Sequence, residues 1–155
     1  MTTTDASLTG APQFSITRVF DAPRELVWQA WTTESELAAW LHPLGVATGD
    51  VSCDVRVGGR YRYTMTNDET GEQFPTGGEY LEVEPMDRLV FTWGDPDAPV
   101  EGTPVITLTF IPRGERTELV FHLLGYAGKP GDGFVYDGWD EALTNFARHL
   151  AGEVL

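Results

Sequence analysis

The segment Asp132-Gly133-Phe134-Val135-Tyr136-Asp137-Gly138-Trp139-Asp140-Glu141-Ala142-Leu143-Thr144-Asn145-Phe146-Ala147-Arg148-His149-Leu150 decides the fold. Trp139, Leu143, Phe146 and Leu150 recur at i, i+4, i+7 and i+11, so four large apolar side chains share one stripe of a helix. His149 sits near the C-terminal end, where the helix dipole favours a cation. The spacing predicts one long amphipathic helix over Asp132 to Leu150. Its stripe must be buried against some other element.

Upstream of it the rhythm is alternation, the signature of strands with one buried face. Leu119, Phe121 and Leu123 alternate with Glu118, Val120 and His122, and Ile106, Leu108 and Phe110 with Thr107 and Thr109. Pro112-Arg113-Gly114-Glu115 joins these two runs as a hairpin. Leu89, Phe91 and Trp93 form an earlier strand. Gln73 to Glu84 is another, in which Gly77-Gly78 suggests a bulge or sharp bend. Tyr61, Tyr63 and Met65 alternate with Arg60, Arg62 and Thr64, and Val51, Cys53 and Val55 make a short strand before them. At the far end Phe14, Ile16 and Phe20 define a first strand. Two short helices follow it. One starts around Asp21-Ala22-Pro23 and turns Leu26, Val27, Ala30 and Trp31 to one face. The other starts at Thr33/Glu34, carries Leu37, Trp40 and Leu41 inward and stops at His42-Pro43.

Six to seven antiparallel strands in near-unbroken succession build a curved sheet with one dry face, and the last helix is the element able to cover it. The expected class is α+β: a sheet wrapped around a long C-terminal helix, with two short helices after the first strand. Residues 1–12, with Leu8 as their one large apolar side chain after Met1, read as a flexible tail, and 13–155 as a single domain.

Composition narrows the function. The chain has 155 residues, with 10 Lys+Arg against 24 Asp+Glu and a formal charge of −14. Nucleic-acid binding rests on clustered cations, so that class is excluded, as is docking on an anionic membrane surface. No apolar run approaches the roughly 20 residues that cross a bilayer, and no secretory signal is visible, so a cytoplasmic address is expected. A single cysteine, Cys53, rules out an internal disulfide and any multi-thiolate metal site.

Five segments together resemble one family. They are Arg18-Val19-Phe20-Asp21-Ala22-Pro23 leading to Val27-Trp28-Gln29-Ala30-Trp31-Thr32; Trp40 with Pro43; Val57-Gly58-Gly59-Arg60-Tyr61-Arg62; Gly78 through Val83-Glu84-Pro85 to Arg88-Leu89-Val90-Phe91-Thr92-Trp93; and Gly138-Trp139 with Leu143. In this order they are similar to the START-like (helix-grip, SRPBCC) superfamily. Within it they resemble the family of homologues of the activator of heat-shock-protein-ninety ATPase, over roughly Phe14 to Leu150. The resemblance implies a deep apolar cavity between sheet and long helix. It does not imply one activity, because fold alone never determines function.

The candidate ligand-binding residues follow from the aromatic surplus on inward positions. Trp40 lies on the second helix, and Tyr61, Tyr63, Phe91, Trp93 and Phe121 on the sheet. Trp139 and Phe146 belong to the last helix. Arg18 shares strand parity with Phe14, Ile16 and Phe20, and is read either as a partner of a carboxylate at the strand edge or as a cation orienting a ligand. The Gly-bearing connections Leu41–Gly49 and Gly125–Gly133, the second read as a flexible lid, would form the entrance. His42, His122 and His149 show no metal-ligand spacing, and no catalytic or metal site and no cofactor is expected. Asp95, Asp97 and Glu101 lack the register of a calcium loop.

The leading expectation is non-catalytic binding, transport or sequestration of a small hydrophobic molecule, aromatic ones included, by a monomer or homodimer. The alternatives are a co-chaperone-like or regulatory module with a chaperone or another protein as partner, and a cyclase- or hydrolase-like enzyme acting in the cavity.

Overall fold

The computed structural model describes residues 11–43 and 45–152. The tail expected over residues 1–12 lies outside them apart from Ala11 and Pro12. Strand β1 (Gln13–Phe20) is followed by helices α1 (Arg24–Thr32) and α2 (Glu34–Trp40). Strands β2 (Val46–Cys53), β3 (Arg60–Asn67), β4 (Gln73–Glu84), β5 (Arg88–Thr92), β6 (Val105–Arg113) and β7 (Arg116–Leu124) come next, and helix α3 (Val135–Leu150) ends the series. All seven strands join one antiparallel sheet in the order β1-β7-β6-β5-β4-β3-β2. From β2 to β7 each strand pairs with its sequence neighbour, while β1 joins the far edge beside β7. The α1–α2 connection therefore runs from one edge of the sheet to the other, beside the helix that the sheet grips.

Register follows the alternation of the sequence. Leu108 faces Phe121 and Phe110 faces Leu119 across β6 and β7, while Ile16 faces Phe121 across β1 and β7. The two-residue turn of this hairpin places Gly114 at φ 67°, where a side chain would be strained. On the inner face Tyr61 and Tyr63 of β3, Leu89 and Phe91 of β5, and the alternating apolar residues of β6 and β7 are buried, while Met65 and Trp93 are half-buried. Helix α3 lies against that face. Trp139 meets Phe121 at 4.8 Å between ring centroids, and Phe146 meets Phe20 at 4.9 Å and Trp40 at 4.6 Å. Trp40 in turn donates its indole N–H to the Ala30 carbonyl at 2.9 Å, locking α2 to α1.

The structure corrects several boundaries. Strand β2 runs from Val46 to Cys53 rather than over Val51 to Val55. Asp50 sits at φ 53° inside a register shift between Gly49 and Ser52, and that irregularity breaks the alternation that would have revealed the earlier half. Helix α1 begins at Arg24, because Pro23 keeps an extended ψ of 161° and offers its carbonyl to the amides of Leu26 and Val27. Leu26, expected inward, is exposed. The inner stripe is Val27, Ala30 and Trp31, and Trp28 packs edge-on against Phe110 instead.

Helix α3 starts at Val135 and not Asp132. The Asp132 carboxylate accepts from the amides of Phe134 (2.8 Å) and Asp137 (3.2 Å), which folds the chain back on itself ahead of the helix. Gly77-Gly78 is not the bulge of β4; the register shift lies between Tyr80 and Glu82. What those glycines permit is close approach. A Cβ on Gly78 would stand 2.0 Å from the Thr92 carbonyl oxygen, and one on Gly77 2.4 Å from that of Tyr61.

Candidate functional site

Beneath α3 the sheet and helices do not close completely. An outer chamber of about 190 Å³ opens between the end of α2, strand β3 and the first turns of α3. Leu41, His42 and Pro43 form one wall, Tyr63 and Met65 the floor, and Gly138, Trp139 and Ala142 the roof. Phe134, which is 70% exposed, stands at the rim with Val135. The surface within is almost wholly apolar.

An inner chamber with room for about 20 Å³ adjoins it, deeper in the core. Leu41, Tyr63, Trp93 and Trp139 border both. Trp31, Leu37, Tyr61, Tyr80, Leu89 and Phe91 complete the inner one. Its volume accommodates about one water or one ligand atom with its substituents, whereas the outer chamber exceeds a cavity of about 150 Å³ known to admit benzene.

Local structure explains who faces the space. Tyr61, Tyr63 and Met65 share one face of β3, and the rings of Tyr61 and Tyr63 stack at 6.3 Å with planes 17° apart. Trp93, one residue beyond β5, lies edge-on to Trp139 at 5.5 Å. Gly138 lies in the first turns of α3, and a Cβ there would meet nothing within 4 Å, so its missing side chain is part of the void. The end of α2 is held to α3 by Asn145, whose amide donates to the His42 carbonyl at 3.0 Å.

Polar groups around the chambers are few and mostly engaged. Tyr61 donates to the Thr92 carbonyl at 2.6 Å, and the Tyr63 oxygen accepts from Trp93 Nε1 at 3.0 Å. Burial pushes the Tyr61, Tyr63 and Tyr80 hydroxyls well above the usual phenol range, so all three stay protonated. Cys53 is half-buried, and burial, then the Glu34 carboxylate, push its thiol up, away from the reactive thiolate. Among the described residues there is no group of three His, Cys, Asp or Glu placed to hold a metal ion.

Of the residues singled out in the sequence, Tyr63, Trp93 and Trp139 border both chambers, and Tyr61 and Phe91 the inner one. Trp40, Phe121 and Phe146 line neither; all three are fully buried and form the packed backing of the cavity. Arg18 also lines neither. It ion-pairs with Asp140 and donates to Thr144 Oγ1 at 3.0 Å, clamping β1 to the flank of α3. Of the two connections expected at the entrance, Leu41–Gly49 reaches the mouth through Leu41, His42 and Pro43, whereas no residue of Gly125–Gly133 lines either chamber and the rim on that side is formed by Phe134 just beyond it.

The second connection is tied down locally, since the Asp137 carboxylate accepts from the amides of Gly131 (2.9 Å) and Gly133 (2.7 Å). Sequence reasoning missed Trp31, Met65 and Gly138 as lining residues. Met65 was legible from its parity with Tyr61 and Tyr63, and Gly138 from the oddity of a glycine inside a helical stripe.

A curved antiparallel sheet gripping a C-terminal helix, with two short helices after its first strand, is the helix-grip architecture of START-like proteins. Within that class the chain belongs to the AHSA1 family, Activator of Hsp90 ATPase homolog 1-like protein, whose model matches residues 21–151. A Chromobacterium violaceum protein of known structure is 29% identical, with a TM-score of 0.76 over 88% of this chain and 96% of its own. An Arthrobacter aurescens protein shares the fold at 24% identity, with a TM-score of 0.78 over 92% of this chain and 88% of its own. An AHSA1-like protein from Aeromonas hydrophila does so at 21% identity, with a TM-score of 0.72 over 90% and 92%. No curated protein matches the sequence. Among the described residues no helix is long and apolar enough to cross a membrane.

Proposed function

We propose that the protein binds a small hydrophobic molecule, aromatic ones included, and carries or sequesters it without transforming it. The observation that supports this reading is the outer chamber: about 190 Å³ of apolar space opening beside α3, in a core otherwise filled with rings. A cavity of that size suits one ring with a short substituent, held by apolar contact with Tyr63, Trp93 and Trp139. Tyr61 and Phe91 would meet whatever reaches deeper, while Trp40, Phe121 and Phe146 keep the walls rigid and Arg18 holds the roof helix in place. The acidic surface, with its charge of −14, suits a cytoplasmic protein that avoids nucleic acid and anionic membranes.

The test is native mass spectrometry of the protein purified from its own host, followed by organic extraction. A co-purifying small molecule that raises the melting temperature on re-addition and quenches tryptophan fluorescence is the expected result. The family's description, an ATPase activator homologue, favours a second reading as a chaperone-interaction module. Extraction that yields nothing, together with a heat-shock-protein-ninety ATPase bound and stimulated by the purified chain, would favour that reading over the first.

A further inference from the structure

Trp31 carries the buried side-chain nitrogen that has no hydrogen-bond partner among the described residues. Two other indoles of the same region are satisfied, Trp40 by the Ala30 carbonyl and Trp93 by the Tyr63 hydroxyl. A buried N–H left unpaired is destabilising, and native proteins seldom keep one without a reason. Trp31 is only 3% exposed and borders the inner chamber, where free volume is just sufficient for one polar atom and its neighbours. The Tyr63 hydroxyl, on the boundary of both chambers, accepts from Trp93 and finds no acceptor for its own proton among the described residues. Two donors without acceptors therefore belong to residues that border the inner chamber, and one of them, Tyr63, borders the outer chamber as well.

Resting on the carrier reading above, we infer that the cavity selects molecules bearing a neutral carbonyl oxygen. The ring or chain lies in the outer chamber, and the oxygen reaches inward to accept from Trp31 Nε1–H and from the Tyr63 hydroxyl. Donors without acceptors favour a ligand that accepts and does not donate, such as a ketone, aldehyde, ester or quinone. An ionised carboxylate is disfavoured. Neither chamber is lined by Lys or Arg, Arg18 is engaged by Asp140 outside them, and His42 in the outer wall turns its Nδ1 to the Pro43 carbonyl, so a carboxylate reaching inward would have no permanent countercharge.

The experiment compares two probes of nearly equal shape, acetophenone and isopropylbenzene, with benzoate as a third. Each is titrated into wild-type protein and into Trp31→Phe, following affinity by tryptophan quenching and calorimetry. The acetophenone-to-isopropylbenzene affinity ratio should fall about tenfold in Trp31→Phe, the change expected from losing one hydrogen bond of about 1.4 kcal/mol. Benzoate should bind wild-type protein more weakly than acetophenone. Because Trp31 is in the core and its variant could fold poorly, the indole N–H resonance of Trp31 in the wild-type protein gives a second readout. It should move downfield with acetophenone and stay put with isopropylbenzene. If isopropylbenzene binds, the ratio is unchanged in the variant and the indole resonance does not move, the carbonyl inference is overturned while the carrier reading stands. If none of the probes binds wild-type protein, the carrier reading fails and takes this inference with it.

Discussion

The Trp93 indole nitrogen donates to the Tyr63 hydroxyl across 3.0 Å, and these two residues each border both chambers. One hydrogen bond thus joins the residue just past β5 to the middle of β3, on the border shared by the two chambers. Replacing Tyr63 by Phe removes the acceptor and leaves a half-buried indole N–H unpaired. The expected cost is about 1 kcal/mol in urea unfolding, at the lower end for such losses because Trp93 is not fully buried. An unchanged denaturation midpoint would show that the bond does not hold the two strands together.

Gly138 separates cavity from fold. A side chain there meets open space and the backbone is helical, so Gly138→Ala should stabilise the protein by up to about 1 kcal/mol. Gly138→Leu should fold as well, yet project into the outer chamber and abolish probe binding. Isopropylbenzene titrations monitored by tryptophan quenching check this. Undiminished binding to a folded Gly138→Leu protein would place the ligand elsewhere.

Leu143 is 1% exposed in the row of α3 that faces the sheet. Its truncation to Ala should cost about 2–5 kcal/mol, the range for a fully buried Leu whose neighbours cannot collapse into the gap. A measured loss under about 1 kcal/mol would mean that the helix here covers a hollow, not a packed face.

Gly78 illustrates the opposite constraint. Its Cβ would stand 2.0 Å from the backbone oxygen of Thr92, the same oxygen that accepts from Tyr61. Backbone cannot step aside as a side-chain tip can, so Gly78→Ala should cost at least about 1–3 kcal/mol and disturb the Tyr61 bond. Equal stability of wild type and variant in thermal melts would contradict the close approach of β4 to β5.

His122 gives the fold a pH dependence. Burial holds its imidazole below the ordinary value of 6.5, and its Nε2 lies 2.8 Å from Gln13 Oε1 across the β1–β7 pairing. The unfolded chain therefore takes up a proton before the folded one does. This contribution is fully present above the unfolded value and is lost as pH falls through the ordinary imidazole value towards the lower folded one. His122→Gln should flatten that part of the stability profile relative to wild type. Parallel profiles would remove His122 from the account.

Much of the fold was legible because it depends on periodicity. Alternation assigned Leu119, Phe121 and Leu123 to the inner face, and the 3.6-residue stripe assigned Trp139, Leu143 and Phe146 to the gripped helix; all six are buried. The misreadings fall where a local event interrupts the period: a left-handed Asp50 inside β2, an extended Pro23 before α1, the Asp132 carboxylate folding the chain ahead of α3. None of these changes residue type in a way that a periodic pattern registers.

The site divides along the same line. By itself the sequence determined which rings point inward, since a side chain's face is set by its own strand or helix. Tertiary structure alone decided which of those rings border empty space and which are packed solid. Tyr63 and Trp139 line a void, whereas Phe121 and Phe146, equally inward by pattern, are sealed in the core. It alone decided that Arg18 meets Asp140, 122 residues away, and that Trp31 keeps a buried N–H without a partner. A void or an unpaired donor is a mismatch between surfaces contributed by distant segments. Such a mismatch exists only once those segments have been brought together.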